Sequence, residues 1–122
     1  MATGASILVA LVGALHLWFL VLEMFLWQRP IGLRTFHLTP AFAGETATLA
    51  ANQGLYNGFL GAGLLLTFAA PPTTAFDGRV FLLACVVIAG LYGAATVQRG
   101  ILLVQAVPAA AALAAVLAAG RP

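Results

Sequence analysis

The sequence predicts an all-α integral membrane protein, folded as an antiparallel four-helix bundle. Of the 122 residues, 63% are hydrophobic and only 7% are charged, whereas soluble domains average about 25% charged residues. The mean hydropathy of the chain is +1.09. Four apolar runs, each near the ~20 residues that cross a bilayer, alternate with short polar segments. A chain of this length has room for a single transmembrane domain, 1–122.

Each of the four spans has its own start and stop signals. The first ends at Trp27, before a glutamine, an arginine and a proline. Its apolar run has no basic start and continues for over 20 residues, which favours a span over a cleaved leader. The second begins after Glu45, a carboxylate suited to a helix N-terminus, and Pro71 stops it. Arg79 opens the third, and Gly100 completes a tight reversal into the fourth. The spans are expected at about 4–27, 46–70, 79–97 and 101–119.

The segment 28–45 carries prolines, glycines and two arginines, and it is predicted to be a long connecting loop. Three of the five arginines fall on the side of the bundle that holds this loop, and two fall on the side of the termini. The positive-inside rule therefore places the long first loop in the cytoplasm.

Charge and cysteine usage exclude several classes of function. The arginines are scattered near helix ends and form no basic stripe, so nucleic acid is not expected as a partner. Cys85 is the sole cysteine, which excludes an internal disulfide and a multi-cysteine metal motif. His16 and His37 are the only histidines and cannot complete a metal site alone, so no metal is predicted. Haem bound through His16 stays open as an alternative.

Polar side chains interrupt the second span where a lipid-embedded helix would carry hydrocarbon. Asn52 and Tyr56 share one helical stripe, and Gln53 and Asn57 share the next, which together make a polar face of roughly 100°. An unpaired buried amide costs a few kcal/mol, so this face needs partners from other helices, water or a ligand. Interhelical hydrogen bonding alone would satisfy it without any function.

The other polar groups fall at similar depths when residues are counted at 1.5 Å each from the loop side of the bundle. His16 and Glu23 lie two turns apart on one face of the first span, and ionisable groups inside a membrane are usually functional. The counting predicts a pocket in one leaflet, with Glu23 and His16 as catalytic groups. The residues expected to bind the substrate there are Asn52, Gln53, Tyr56, Asn57, Tyr92, Thr96 and Gln105.

Four segments of the chain resemble a known family. They are His16 to Trp27, Ala51 to Leu60, Gly90 to Thr96 and Gln105 to Ala109. Together they are similar to an uncharacterised family of small bacterial four-span membrane proteins, catalogued as domain of unknown function 1304. The resemblance implies this architecture and a place in the bacterial inner membrane, but no reaction. It marks the same polar positions, apart from Tyr92.

These residues favour a membrane enzyme that performs acid–base chemistry, such as isomerisation, cyclisation or epoxide opening, on a small lipophilic molecule, or a binder of such a molecule. Glu23 and His16 would exchange protons, and the amides and phenol would orient the substrate. A small proton-coupled transporter of the dimeric multidrug-exporter type is the alternative. Small residues such as Gly54 and Gly58 would let helices of this chain, or of a second copy, approach closely.

Overall fold

The chain consists almost entirely of helices. A computed structural model describes residues 2–122, and this part of the chain is 86% helical and contains no strand. Its helices are α1 (Thr3–Met24), α2 (Pro30–Phe36), α3 (Pro40–Leu66), α4 (Pro72–Thr96) and α5 (Val107–Ala119). A 3-10 turn at Thr67–Ala69 follows α3, and a π-helical segment at Leu102–Ala106 precedes α5. The predicted all-α fold class is confirmed.

Three of the described helices are long and apolar enough to cross a membrane. They are Thr3–Met24, Pro72–Thr96 and the continuous segment Leu102–Ala119. With 27 residues α3 is the longest helix, but its carboxamides lower its hydropathy and it is not among the three. These helices indicate a membrane protein, whereas the fourth span stays a prediction.

The segment predicted as a loop at 28–45 is largely helical, so that prediction is corrected. Pro30 is the first residue of α2, and Pro40 is the first residue of α3. Proline is well tolerated there, because the amide it lacks would have no partner inside the helix. Thr39 caps α3, since its Oγ1 accepts a hydrogen bond of 3.2 Å from the amide of Phe42. The helix therefore begins at Pro40 and not near 46.

Two other helix boundaries differ from the predicted ones for similar local reasons. Pro71 is the extended residue before α4, and its carbonyl accepts a bond of 2.8 Å from the Ala75 amide, so α4 begins at Pro72 and not at Arg79. Residues 72–78, which precede the predicted start of the third span, form the first two turns of the helix instead. At the other boundary, α1 ends at Met24 and not at 27. The amide of Leu26 shares its hydrogen bond between the carbonyls of Val21 and Leu22, each at 3.2 Å, so the regular helical pattern is already breaking down there.

Contacts divide the chain into two compact units. One comprises the chain up to Gly13 together with Ala62–Pro122, and the other is Ala14–Gly61. In the first unit α4 packs along the π-helical segment and α5. The apolar core of α4 and α5 is formed by fully buried side chains, namely Leu83, Val86, Ala109, Ala112 and Val116.

The α2 helix ends in a left-handed residue. His37 has φ 54° and ψ 48°, and the amides of His37 and Leu38 both bond to the carbonyl of Leu33. Glycine is the usual residue at such a cap, because a Cβ is crowded there. We expect His37→Gly to raise the free energy of unfolding by about 0.5–1 kcal/mol, measured by denaturant titration in detergent. His37→Ala keeps the Cβ and should bring no such gain, whereas equal gains from both variants would contradict the cap.

Candidate functional site

A carboxyl group and a carboxamide meet between α1 and α3. Asn57 Nδ2 donates a hydrogen bond of 2.5 Å to Glu23 Oε1. Both residues are buried, with 8% of Glu23 and 6% of Asn57 exposed. Both belong to the unit Ala14–Gly61. The structure thus joins two of the predicted site residues directly.

Glycines on α3 make this contact geometrically feasible. A Cβ built on Gly54 would lie 2.9 Å from Glu23 Cβ and 2.9 Å from Met24 Cγ, and one built on Gly58 would collide with the side chain of Leu20. The helices run antiparallel here, because positions further along α3 contact earlier positions on α1. The missing side chains let the two backbones approach until a short carboxamide reaches the carboxyl group.

The helix α2 and a tryptophan fix the chain beyond the end of α1. Trp27 Nε1 donates a bond of 3.1 Å to Thr46 Oγ1 on α3, and the Trp27 ring lies 4.9 Å from that of Phe36 on α2. Gly32 packs so tightly on the carbonyls of Leu26 and Trp27 that a Cβ would overlap them. These contacts hold Leu26 and Trp27 against α2 and α3, a few residues beyond Glu23.

His16 lies two turns before Glu23 on α1, about 10 Å along the helix axis. Its side chain is fully buried, with 0% exposed. The imidazole meets the ring of Phe19 edge to face, with centroids 5.3 Å apart and planes at 72°. His16 is therefore an enclosed group on the same helix as Glu23.

The remaining polar residues of α3 lie on its exposed surface. Asn52, Gln53 and Tyr56 are all exposed in this chain. Tyr56 packs edge to face on Phe59, with ring centroids 5.7 Å apart. Gln53 lies one helical turn before buried Asn57 on the same face of α3. This polar face therefore extends from the exposed Gln53 to the buried Glu23–Asn57 pair.

The other predicted binding residues belong to the second unit of the chain. Tyr92 and Thr96 are exposed near the end of α4, and Thr96 Oγ1 donates a bond of 2.7 Å to the carbonyl of Tyr92. Gln105 is half-buried within the π-helical segment. Their convergence with Glu23 stays a prediction.

One polar cluster was missed by the sequence analysis. Arg79 is buried in α4, with 6% exposed, and its Nε donates a bond of 2.8 Å to Thr67 Oγ1. The hydroxyl of Thr67 in turn donates to the carbonyl of Leu64 at 2.6 Å. Once α4 is known to begin at Pro72, Arg79 lies two turns inside a helix, and a cation there requires partners.

Metal-ligating side chains do not come together within residues 2–122: no three His, Cys, Asp or Glu residues are close enough to hold an ion. Every buried side-chain nitrogen or oxygen in this part of the chain has a hydrogen-bond partner. The Glu23–Asn57 pair can itself exchange a proton and form hydrogen bonds.

The fold and the pair together define a class: a small helical membrane protein with a hydrogen-bonded carboxyl and carboxamide between two of its helices. The chain matches the model of the family described as "Protein of unknown function (DUF1304)" over residues 10–117. It belongs to this family, and the resemblance noted from the sequence is confirmed. No curated protein and no solved structure matches the chain.

Proposed function

We propose that this protein is a multi-pass protein of the bacterial inner membrane that binds a small lipophilic molecule at the Glu23–Asn57 pair and performs acid–base chemistry on it. The observation that supports this most is the 2.5 Å hydrogen bond between two buried polar side chains, one of them on a helix long and apolar enough to span a membrane.

A carboxyl group at position 23 favours a functional site over a contact that only holds two helices together. A glutamine at 23 could bond to Asn57 at a lower desolvation cost, because it carries no charge to bury. Ionisable groups within membrane helices are rare, and they commonly mark sites of proton transfer or ligand binding. A protein that only needed to join α1 to α3 would gain little from Glu23.

Six polar residues of the unit Ala14–Gly61 then have a role. Glu23 gives or takes the proton, and Asn57 holds one of its carboxyl oxygens and thereby fixes the orientation of the group. His16, two turns further along α1, is the second proton-exchanging group. The exposed side chains of α3 recognise the polar part of the ligand as it approaches; these are Asn52, Gln53 and Tyr56.

The arginines support an orientation for this proposal. Arg29 and Arg34 lie in or beside α2, between α1 and α3, and both are exposed. Positive charge near the ends of spans favours the cytoplasmic side. The α2 side of the protein is therefore assigned to the cytoplasm, which places Glu23 in the cytoplasmic half of the membrane.

The experiment compares Glu23→Gln with Glu45→Gln. Both changes remove one carboxyl group, but Glu45 is exposed on α3. Each protein is purified from its native membrane, and the co-purifying lipophilic molecules are identified by mass spectrometry. We expect parent and Glu45→Gln to carry the same molecule, and Glu23→Gln to lose it about tenfold or more, as for a hydrogen bond to a charged group.

His16→Ala extends the test to the second proton-exchanging group. It should leave the molecule bound but block its conversion, so that unreacted substrate accumulates on the variant. If Glu23→Gln retains the parental molecule at parental occupancy, the binding site is not at Glu23 and the proposal is wrong.

A further inference from the structure

A cavity of about 370 Å³ opens in the other unit of the chain, where α4 begins and α5 ends. Arg79 and Arg121 line it together with apolar side chains such as Phe68 and Phe76. No described residue that lines it carries a carboxylate side chain. The lining of the cavity therefore combines basic and apolar side chains.

Arg79 is held rigidly at this wall. Its Nε donates to Thr67 Oγ1 at 2.8 Å, and its guanidinium carbon lies 4.5 Å over the ring of Phe68. The hydrogen bond and the ring fix the plane of the guanidinium, and the side chain is buried with only 6% exposed. A guanidinium has a planar fork of donors that matches the oxygens of a phosphate.

Arg121 supplies the second cation from beyond α5. Its Nε and Nη2 donate to the two carboxylate oxygens of Asp77 on α4, at 3.0 and 2.8 Å. These hydrogen bonds raise the pKa of Arg121 and pair its guanidinium with the Asp77 carboxylate.

The cavity lies at the depth of lipid headgroups if α4 spans the membrane. A helix of 25 residues is about 37 Å long, and the hydrocarbon core is about 30 Å thick. The part of the helix that exceeds the thickness of the hydrocarbon core is assigned to the start of α4, because this end carries the polar residues Thr73, Thr74 and Asp77. Arg79 then lies close to the boundary between hydrocarbon and headgroups, where a basic pocket can meet an anionic lipid.

We propose that this cavity binds the phosphate-bearing headgroup of an anionic membrane lipid, with Arg79 and Arg121 contacting the phosphate and the apolar wall contacting the start of the acyl chains. The site is separate from the Glu23–Asn57 pair and does not depend on the function proposed for that pair. It assigns the buried arginine of α4 a role in anchoring a lipid at the end of the helix.

The test is native mass spectrometry of the detergent-solubilised protein with phosphatidylglycerol and, separately, with phosphatidylcholine. We expect the parent to retain phosphatidylglycerol in preference to phosphatidylcholine. Arg79→Gln should reduce this retention about tenfold or more. Arg99→Gln removes the same charge from an exposed residue outside the cavity and should leave retention unchanged.

A second variant distinguishes the loss of the lipid site from misfolding of Arg79→Gln. Ala70→Trp fills the cavity without altering any charge and should also displace the lipid. Equal losses from Arg79→Gln and Arg99→Gln, or full retention in Ala70→Trp, would overturn the site. Excess inorganic phosphate should not displace the lipid from the parent, because it lacks the acyl chains, and displacement would assign the cavity to a small anion instead.

Discussion

Gly90→Ala is expected to lower the free energy of unfolding by about 1–3 kcal/mol. A new Cβ at this position would lie 2.7 Å from the amide nitrogen of Ala106 and 2.9 Å from its Cα. These are backbone atoms of the π-helical segment and cannot move away by changing a rotamer. The substitution must therefore force α4 away from the segment that precedes α5.

The expected effect of Gly90→Ala on stability is opposite to that of the same change in an open helix. In an open helix, the same change stabilises by up to about 1 kcal/mol, because alanine is the better helix former. Gly100→Ala is the matched control, since nothing lies within 4 Å of a Cβ placed there. Unfolding titrations in detergent should show Gly90→Ala less stable than the parent and Gly100→Ala at least as stable. Equal stability of both variants would contradict the close contact of α4.

Partial rescue provides a further check on the same contact. Ala106→Gly removes only the Cβ that would lie 2.8 Å from the new methyl group, while the nitrogen and Cα of residue 106 remain. The double variant Gly90→Ala/Ala106→Gly should therefore recover some of the lost stability, but not all of it. Complete recovery would mean that the backbones are further apart than the structure shows.

Asn57→Leu is expected to destabilise the protein by about 1–3 kcal/mol, the cost of a buried polar group that has lost its partner. Leucine has as many side-chain heavy atoms as asparagine and leaves no cavity, so the loss comes from the unpaired carboxyl group of Glu23. Asn52→Leu, at an exposed position on the same helix, should change stability much less. Thermal or denaturant unfolding in detergent measures both.

The double variant Glu23→Leu/Asn57→Leu separates pairing from packing. Two apolar side chains would replace the polar pair, so the double variant should be more stable than Asn57→Leu alone. Contacting residues typically show coupling energies of about 0.5–3 kcal/mol. Additive effects of the two single changes would show that Glu23 and Asn57 do not interact.

The fold class was predictable because composition alone separates membrane helices from soluble ones. The boundaries were not, because proline was interpreted only as a helix terminator. Pro30, Pro40 and Pro72 each begin a helix, and the threonine before Pro40 supplies the cap. A Thr-Pro pair is typical of the N-terminus of a helix as well as of a helix stop. Interpreted as an N-terminus, Thr39-Pro40 predicts that α3 begins at Pro40.

The pairing within the site was only partly predictable, because periodicity shows which residues share a face but not which face is covered. The buried stripe of α3 follows its small residues, Ala50, Gly54, Gly58 and Gly61, and Asn57 falls on it. Asn52, Gln53 and Tyr56 fall outside this stripe and are exposed. Small-residue spacing, combined with the polar pattern, would have singled out Asn57.

Arg79 was missed for a related reason. The sequence analysis placed Arg79 at the start of the third span, whereas α4 begins at Pro72 and Arg79 lies two turns inside it. Its partner Thr67 precedes Pro71-Pro72, and only the chain reversal there brings the two side chains to 2.8 Å. Contacts of this kind depend on tertiary structure and are not encoded in the spacing of either helix alone.

Selective carbodiimide labelling tests whether a lipophilic molecule reaches Glu23 between α1 and α3. The chain has only three acidic residues, Glu23, Glu45 and Asp77, so peptide mass spectrometry can assign every product. In native membranes a lipophilic carbodiimide should label Glu23 and a water-soluble one should label Glu45 and Asp77, which are exposed. Labelling of Glu23 by the water-soluble reagent alone, or by neither reagent, would contradict a carboxyl group open to lipophilic ligands.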